Sequence, residues 1–276
     1  MNKKKRLLAT AFVLMCLLYI CFILFTNVVN KIGNKPTITL PNTVLSISVK
    51  ASESDLLKDV KANDKEDGNL TDKVFIESIS SFNENKERTI TYGVFDSDDH
   101  LVKATRQIKY TDYKEPTISL IKPLVYYYYI GGDEEYKQFI KATSSIDGDI
   151  TPTVIMNFSE DSGRNYYIEY SATDSCGTQV NKKYEVTALD NKPNIEINLK
   201  EYEIDVPLGT TITEIAPKDT YLGDIYIDGM KNNLLKAEVE VLNNYDATKV
   251  GTYEFIYRIS KANGDFGYTK LIVNVK

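Results

Sequence analysis

Asp64, Glu66, Asp67 and Asn69 stand within six positions of one another, and Asp147 and Asp149 form a thinner group 80 residues later. Asp112 and Asp190 follow each group at a distance. Oxygen ligands at that density suit calcium, which takes about six to eight of them. The competing reading is an Asp-Gly turn, in which Gly68 and Gly148 supply an unusual backbone angle and the acids serve nearby N–H groups. The turn is favoured, because the second group offers few acids. No metal and no cofactor is expected. His100 is the single histidine, and the cysteines are Cys16, Cys21 and Cys176. Multi-histidine zinc sites and zinc fingers are thereby excluded. A Ser-His-Asp or Cys-His site would have to be built on His100, in the run Asp98-Asp99-His100. With 39 acidic residues, carboxylate pairs arise by accident, and no catalytic role is expected for any of them.

Two further groups carry weaker signals. Tyr126-Tyr127-Tyr128-Tyr129 would expose alternate rings if extended, and exposed tyrosines suit protein or sugar contacts. β-propensity on a sheet surface explains the run more simply, and the absence of Trp weakens a sugar reading. Cys176 falls in an expected loop, where an inert thiol is favoured over an intermolecular disulfide.

The elements that hold these residues recur. Residues 57–74 and 137–154 align without a gap at an offset of 80, matching Ala62/Ala142, Asp67/Asp147, Gly68/Gly148, Leu70/Ile150, Thr71/Thr151 and Val74/Val154. Pro36/Pro116, Ile38/Ile118 and Leu40/Leu120 keep the same offset. A third copy opens at Lys192-Pro193-Asn194-Ile195, with Leu222-Gly223-Asp224 in the place of the Asp-Gly motif. Each copy later shows an alternating strand centred on a tyrosine, Tyr92, Tyr170 or Tyr257. Period-2 alternation marks a strand with one face on a core. Asp96-Ser97 and Asp174-Ser175 read as turns after the first two of these strands. About seven short strands per copy predict a Greek-key β-sandwich. The boundaries at Glu115-Pro116 and Lys192-Pro193 are short and proline-led, so the copies should follow one another as a semi-rigid string.

The A-x-x-x-x-D-G-[ND]-[LI]-T element, the Gly251-Thr252-Tyr253 strand running to Tyr257, and the Asp174-Ser175-Cys176-Gly177 turn carry a resemblance. The chain resembles the bacterial Ig-like repeat of Gram-positive cell-surface proteins, a type also found in an insecticidal crystal protein and related to hyalin-type repeats. The resemblance covers residues 36–276. It implies immunoglobulin-like sandwiches and a cell-surface location, and it implies no ligand.

The N-terminus bears on location. Lys3, Lys4, Lys5 and Arg6 precede an uncharged apolar run at 7–25, close to the ~20 residues that cross a hydrocarbon core. The positive-inside rule places residues 1–6 in the cytoplasm and the rest outside. A cleaved signal peptide is the rival, but no small-residue cut site follows the run. Without the four cations the formal charge moves from −6 to −10, which argues against nucleic acid as a partner.

The expected architecture is therefore all-β after a transmembrane helix: cytoplasmic stub 1–6, single-pass helix 7–26, spacer 27–35, and three tandem Ig-like β-sandwich domains at 36–113, 114–190 and a divergent 191–276. The third copy has about ten extra residues between its glycine and its tyrosine. Tyr226, Ile227, Met230, Leu234 and Leu235 in that stretch are the candidate partner-binding residues, with a covering role for the two leucines as the rival. The expected function is a membrane-anchored cell-surface protein presenting Ig-like repeats for binding or adhesion, or as a spacer stalk. An accessory subunit of a cell-envelope complex and a membrane-tethered glycan-binding module stay open. Expected partners are a protein or cell-envelope glycan on the outer side, and the membrane through 7–26.

Overall fold

The computed structural model describes residues 3–29, 33–127, 137–163 and 165–276, with side chains for all of these except 3–11, 26–29, 126 and 127. The chain is mostly β and divides into two compact units, Met1–Tyr113 and Lys114–Lys276.

The first unit begins with helix α1, Lys3–Val29. Its described side chains, 12–25, are exposed on every face except for a half-buried Cys16. The expected span 7–26 falls on this helix, but the side chains of 7–11 and 26 lie outside the described residues. Among the described residues no helix is long and apolar enough to cross a membrane.

Seven strands follow: β1 (Thr37–Thr39), β2 (Val44–Ile47), β3 (Lys61–Asp64), β4 (Gly68–Asn69), β5 (Phe75–Ile79), β6 (Arg88–Phe95) and β7 (Leu101–Tyr110). They form two sheets, β1-β3-β4 and β2-β7-β6-β5. Between them lie Ala62 from one sheet and Ile90, Tyr92, Val94 and Ile108 from the other, and burial of Ile90, Val94 and Ile108 contributes about 1.5–3 kcal/mol each. The short helix α2 (Glu53–Leu57) starts at a capping box, with Ser52 accepting from the Asp55 N–H and Asp55 accepting from the Ser52 N–H.

The second repeat has the same design. Its strands are β8 (Thr117–Leu120), β9 (Val125–Tyr127), β10 (Ile140–Ser144), β11 (Gly148–Asp149), β12 (Ile155–Glu160), β13 (Tyr166–Thr173) and β14 (Gln179–Leu189). The sheets are β11-β10-β8 and β12-β13-β14-β9.

The third repeat departs from this plan. It contains β15 (Ile195–Leu199), β16 (Glu203–Val206), helices α3 (Ile212–Ile215) and α4 (Pro217–Tyr221), then β17 (Leu222–Ile227), β18 (Met230–Lys231), β19 (Glu240–Asn243), β20 (Gly251–Ser260) and β21 (Phe266–Val275). One ladder runs β18-β17-β15-β21-β20-β19, and β16 also pairs with β21. The join is possible because β21 touches β15 at Gly267, where a Cβ would come within 2.9 Å of the Ile195 carbonyl oxygen.

The second and third repeats share one apolar core that includes Ile118, Tyr170, Tyr184, Ile204 and Val273. They are also joined by buried charge. Lys270 on β21, 2% exposed, donates to the Glu185 carbonyl on β14 at 3.0 Å and to Glu254 on β20 at 2.6 Å. Glu203 on β16 accepts from Leu120 N at 3.2 Å and Tyr184 Oη at 2.6 Å, and pairs with Lys182. Asn274 Nδ2 fills its other oxygen at 2.9 Å.

Candidate functional site

The acids of the repeat motif serve the backbone. Asp67 accepts from Ser97 N at 2.6 Å and Ser97 Oγ at 2.7 Å, and Asp147 accepts from Ser175 N at 2.8 Å. The Asp-Gly turn of one sheet thus clasps the Asp-Ser turn of the other. Asp96 and Asp174 complete those turns by accepting from the N–H groups of His100 and Thr178. Asp112 accepts from Ser48 Oγ and Val49 N, and the Ser48 bond leads in holding its carboxyl below the usual range. Among the described residues no group of three or more His, Cys, Asp or Glu is placed to hold a metal ion. His100 is occupied by Asp96, Nδ1 to Oδ2 at 2.7 Å. Cys176 is 1% exposed, so the expected loop thiol is buried. Tyr126 and Tyr127 lie on β9, but their side chains, and Tyr128 and Tyr129 entirely, lie outside the described residues.

The equivalence of Leu222-Gly223-Asp224 with the Asp-Gly motif is corrected by the backbone. Gly223 lies inside β17, where a Cβ would meet the Asn198 carbonyl oxygen at 2.8 Å. The turn of the third repeat is Asp228-Gly229. Gly229 has φ 75°, matching 74° at Gly68 and 75° at Gly148. Asn232 N donates to Ile225 O, as Leu70 N does to Ala62 O and Ile150 N to Ala142 O. The extra length instead enlarges the 3-10 turn that follows, Asn233–Glu238.

The five candidate residues separate on this frame. Tyr226 is half-buried and Ile227 packs against the core. Leu235 is 4% exposed and belongs to the core, whereas Leu234 is 87% exposed and Met230 is also exposed. Of the five, only Tyr226 lines a cleft of about 630 Å³ at the joint between the second and third repeats.

That cleft is built from both repeats. Lys122 and Phe139 come from the second, with Lys122 Nζ over the Phe139 ring at 5.7 Å from its centroid. Glu196, Asn198, Tyr202, Tyr226, Asp228 and Tyr268 come from the third. Several polar groups are fixed in advance. Asn198 Nδ2 donates to Glu196 Oε1 at 2.9 Å and its Oδ1 accepts from Tyr202 Oη at 3.4 Å. Burial raises the Tyr268 phenol, partly offset by its hydrogen bond with Thr187, so it stays neutral. Aromatic surfaces and pre-positioned amide, phenol and carboxylate groups suit reversible capture of a small polar molecule. The sequence points to Tyr226 but does not single out Asn198, Tyr202 or Tyr268, which no local motif marks.

No family model matches the chain. Pesticidal crystal protein Cry22Aa of Bacillus thuringiensis is 28% identical over 224 residues, which is 74% of this chain and 28% of that protein. The chain thus spans under a third of that relative's length. Among solved structures, CBM51-2 in complex with GlcNAc and the INT domains of Clostridium perfringens ZmpB aligns at 19% identity over 55% of this chain and 42% of that one, with a TM-score of 0.23. Human CDH23 EC21-23 aligns at 11% identity over 87% of this chain and 100% of that one, also with a TM-score of 0.23.

Proposed function

We propose that the chain is a binding protein of the cell surface, held to the membrane by α1 and capturing a short polar ligand, a neutral glycan, in the joint cleft. The observation that carries this reading is the cleft itself. Its volume of about 630 Å³ falls in the range that accepts a small ligand, and Asn198 and Tyr202 are already oriented by their own hydrogen bonds. Charges of both signs, Lys122 and Lys192 against Glu196 and Asp228, leave no strong net preference for an ion. The shared core and the Lys270 and Glu203 links keep the two walls of the cleft in register. The chemistry is binding without turnover. Exposed apolar side chains all round α1 support membrane insertion, since a helix of that kind has no polar face to present to water.

The test is a glycan array probed with the full chain and with Asn198→Ala. Selective capture lost in the variant supports the reading. Equal signal from both proteins, or none from either, rejects the cleft as a glycan site. The exposed apolar helix also favours a second reading, an accessory subunit that meets a membrane partner through α1. Replacing 7–25 with unrelated apolar residues separates the two, because simple anchoring would survive the exchange.

A further inference from the structure

Arg106 on β7 is 3% exposed, yet its partners among the described residues are a phenol and a main-chain carbonyl, not a carboxylate. Buried guanidinium groups normally have a carboxylate partner. Arg106 Nε donates to Tyr92 Oη at 2.7 Å and Nη2 to the Leu56 carbonyl at 2.6 Å, with the guanidinium carbon 5.3 Å from the Tyr92 ring centroid. The Nη1 end makes no hydrogen bond to a described residue. Arg106 also lines a cleft of about 550 Å³ bordered by β2 and α2, whose walls carry the exposed Lys50 and Lys58. Asp55 and Asp59 line it too. Asp55 is already engaged, accepting from Ser52 N at 2.9 Å and Ser52 Oγ at 2.6 Å.

This arrangement is peculiar to the first repeat. Strand registers pair Tyr92 with Ala104, Tyr170 with Lys182 and Tyr257 with Thr269. Two residues further on, the three repeats place Arg106, Tyr184 and Leu271. Tyr184 gives its hydroxyl to Glu203, and Leu271 needs no polar partner. Of these three positions only that of Arg106 carries a full charge, and no anion among the described residues meets it.

The geometry points to an oxyanion-binding site in the first repeat, in which Arg106 Nη1 holds a carboxylate or phosphate group and Lys50 and Lys58 flank it. Tyr92 and Leu56 hold Nε and Nη2, so the guanidinium that lines the cleft is already oriented. A carboxylate on a peptide or sugar end is the smaller fit, and phosphate supplies the same chemistry with one more oxygen. This site is independent of the joint cleft.

The experiment follows the Arg106 side-chain Nε–H resonance in the isotope-labelled full chain in micelles, assigned by its loss in Arg106→Lys. Three probes are added in turn: N-acetyl-alanyl-alanine with a free carboxyl, the same dipeptide as its C-terminal amide, and inorganic phosphate. A saturable shift with the free acid or with phosphate, and none with the amide, is expected, and the two arms tell carboxylate from phosphate. The folded Lys50→Ala/Lys58→Ala double variant should bind the active probe roughly threefold to tenfold more weakly. An unmoved resonance with both anions, equal shifts from acid and amide, or unchanged affinity in the double variant would overturn the site and leave Arg106 as an internal clamp.

Discussion

Lys270 in the third repeat reaches across the joint to the main-chain carbonyl of Glu185 in the second, at 3.0 Å. A buried ammonium thus ties one repeat's last strand to the other's. Replacing it by Met keeps the volume but leaves Glu254 unpaired. Lys270→Met should cost about 3 kcal/mol, the low end for orphaning a buried pair because Glu254 keeps some water. Denaturant unfolding measures it, and a loss under about 1 kcal/mol would show the bridge to be marginal.

The turn clasp makes a second prediction. Asp67→Ala removes two hydrogen bonds to Ser97 and should cost about 1–2 kcal/mol. Added calcium should not change the melting temperature of either protein. Calcium-dependent stabilisation of the unmodified chain would return the acidic cluster to consideration as a metal site.

Acid sensitivity follows from the turn carboxylates. Thr248 Oγ1 donates to Asp246 Oδ1 at 2.6 Å, and this bond leads in lowering the Asp246 pKa to about 2 from an ordinary 3.8. A carboxyl depressed in the folded state stabilises fully above its unfolded pKa and loses that contribution as pH falls through the folded one. The advantage of the unmodified protein over Asp246→Asn should therefore be steady above about pH 5 and shrink between about pH 4 and pH 2. Melting curves of both proteins across that range provide the comparison, and a gap that widens on acidification would contradict the assignment.

The cleft makes the fourth prediction. Tyr226→Ala should weaken glycan capture about tenfold or more, as for an aromatic contact at the centre of a site. Leu234→Ser should leave both capture and melting temperature unchanged, because that side chain is 87% exposed. Leu235→Ser should instead lower the melting temperature, since it removes a core residue. Surface-immobilised ligand and calorimetry distinguish the three variants.

Much of the sandwich was legible because its signals are local. Tyr92, Tyr170 and Tyr257 sit in alternating strands, and all three are buried as that alternation requires. Gly68 and Gly148 announced turns through their neighbours, and both adopt positive φ. In the third repeat Asp228-Gly229 reads as a turn from its residues and is one, whereas Gly223, set in the place of the Asp-Gly motif, permits close strand approach instead. The joint was invisible for a different reason. Lys270 lies in a run from Thr269 to Val273 that is buried on both faces, since the second repeat covers one of them. A lysine in a strand reads as a solvent-facing position, and nothing local reveals that a neighbouring repeat lies over it. Arg106 hides in the same way, as a charge at a position that alternation assigns inward.

The strands that lie beside each repeat's last strand have a mechanical meaning. Strand β2 runs parallel to β7, from Val44↔Gln107 to Ile47↔Tyr110. Strands β9 and β14 repeat the arrangement, as do β16 and β21. Tension applied to the two ends of such a repeat drags the paired strands along their shared axis in opposite directions. All the rungs between them are then loaded in shear together, whereas a hairpin pulled at its open end peels one rung at a time. A repeat wired in this way yields abruptly at a high force, a property that single-molecule stretching reads directly.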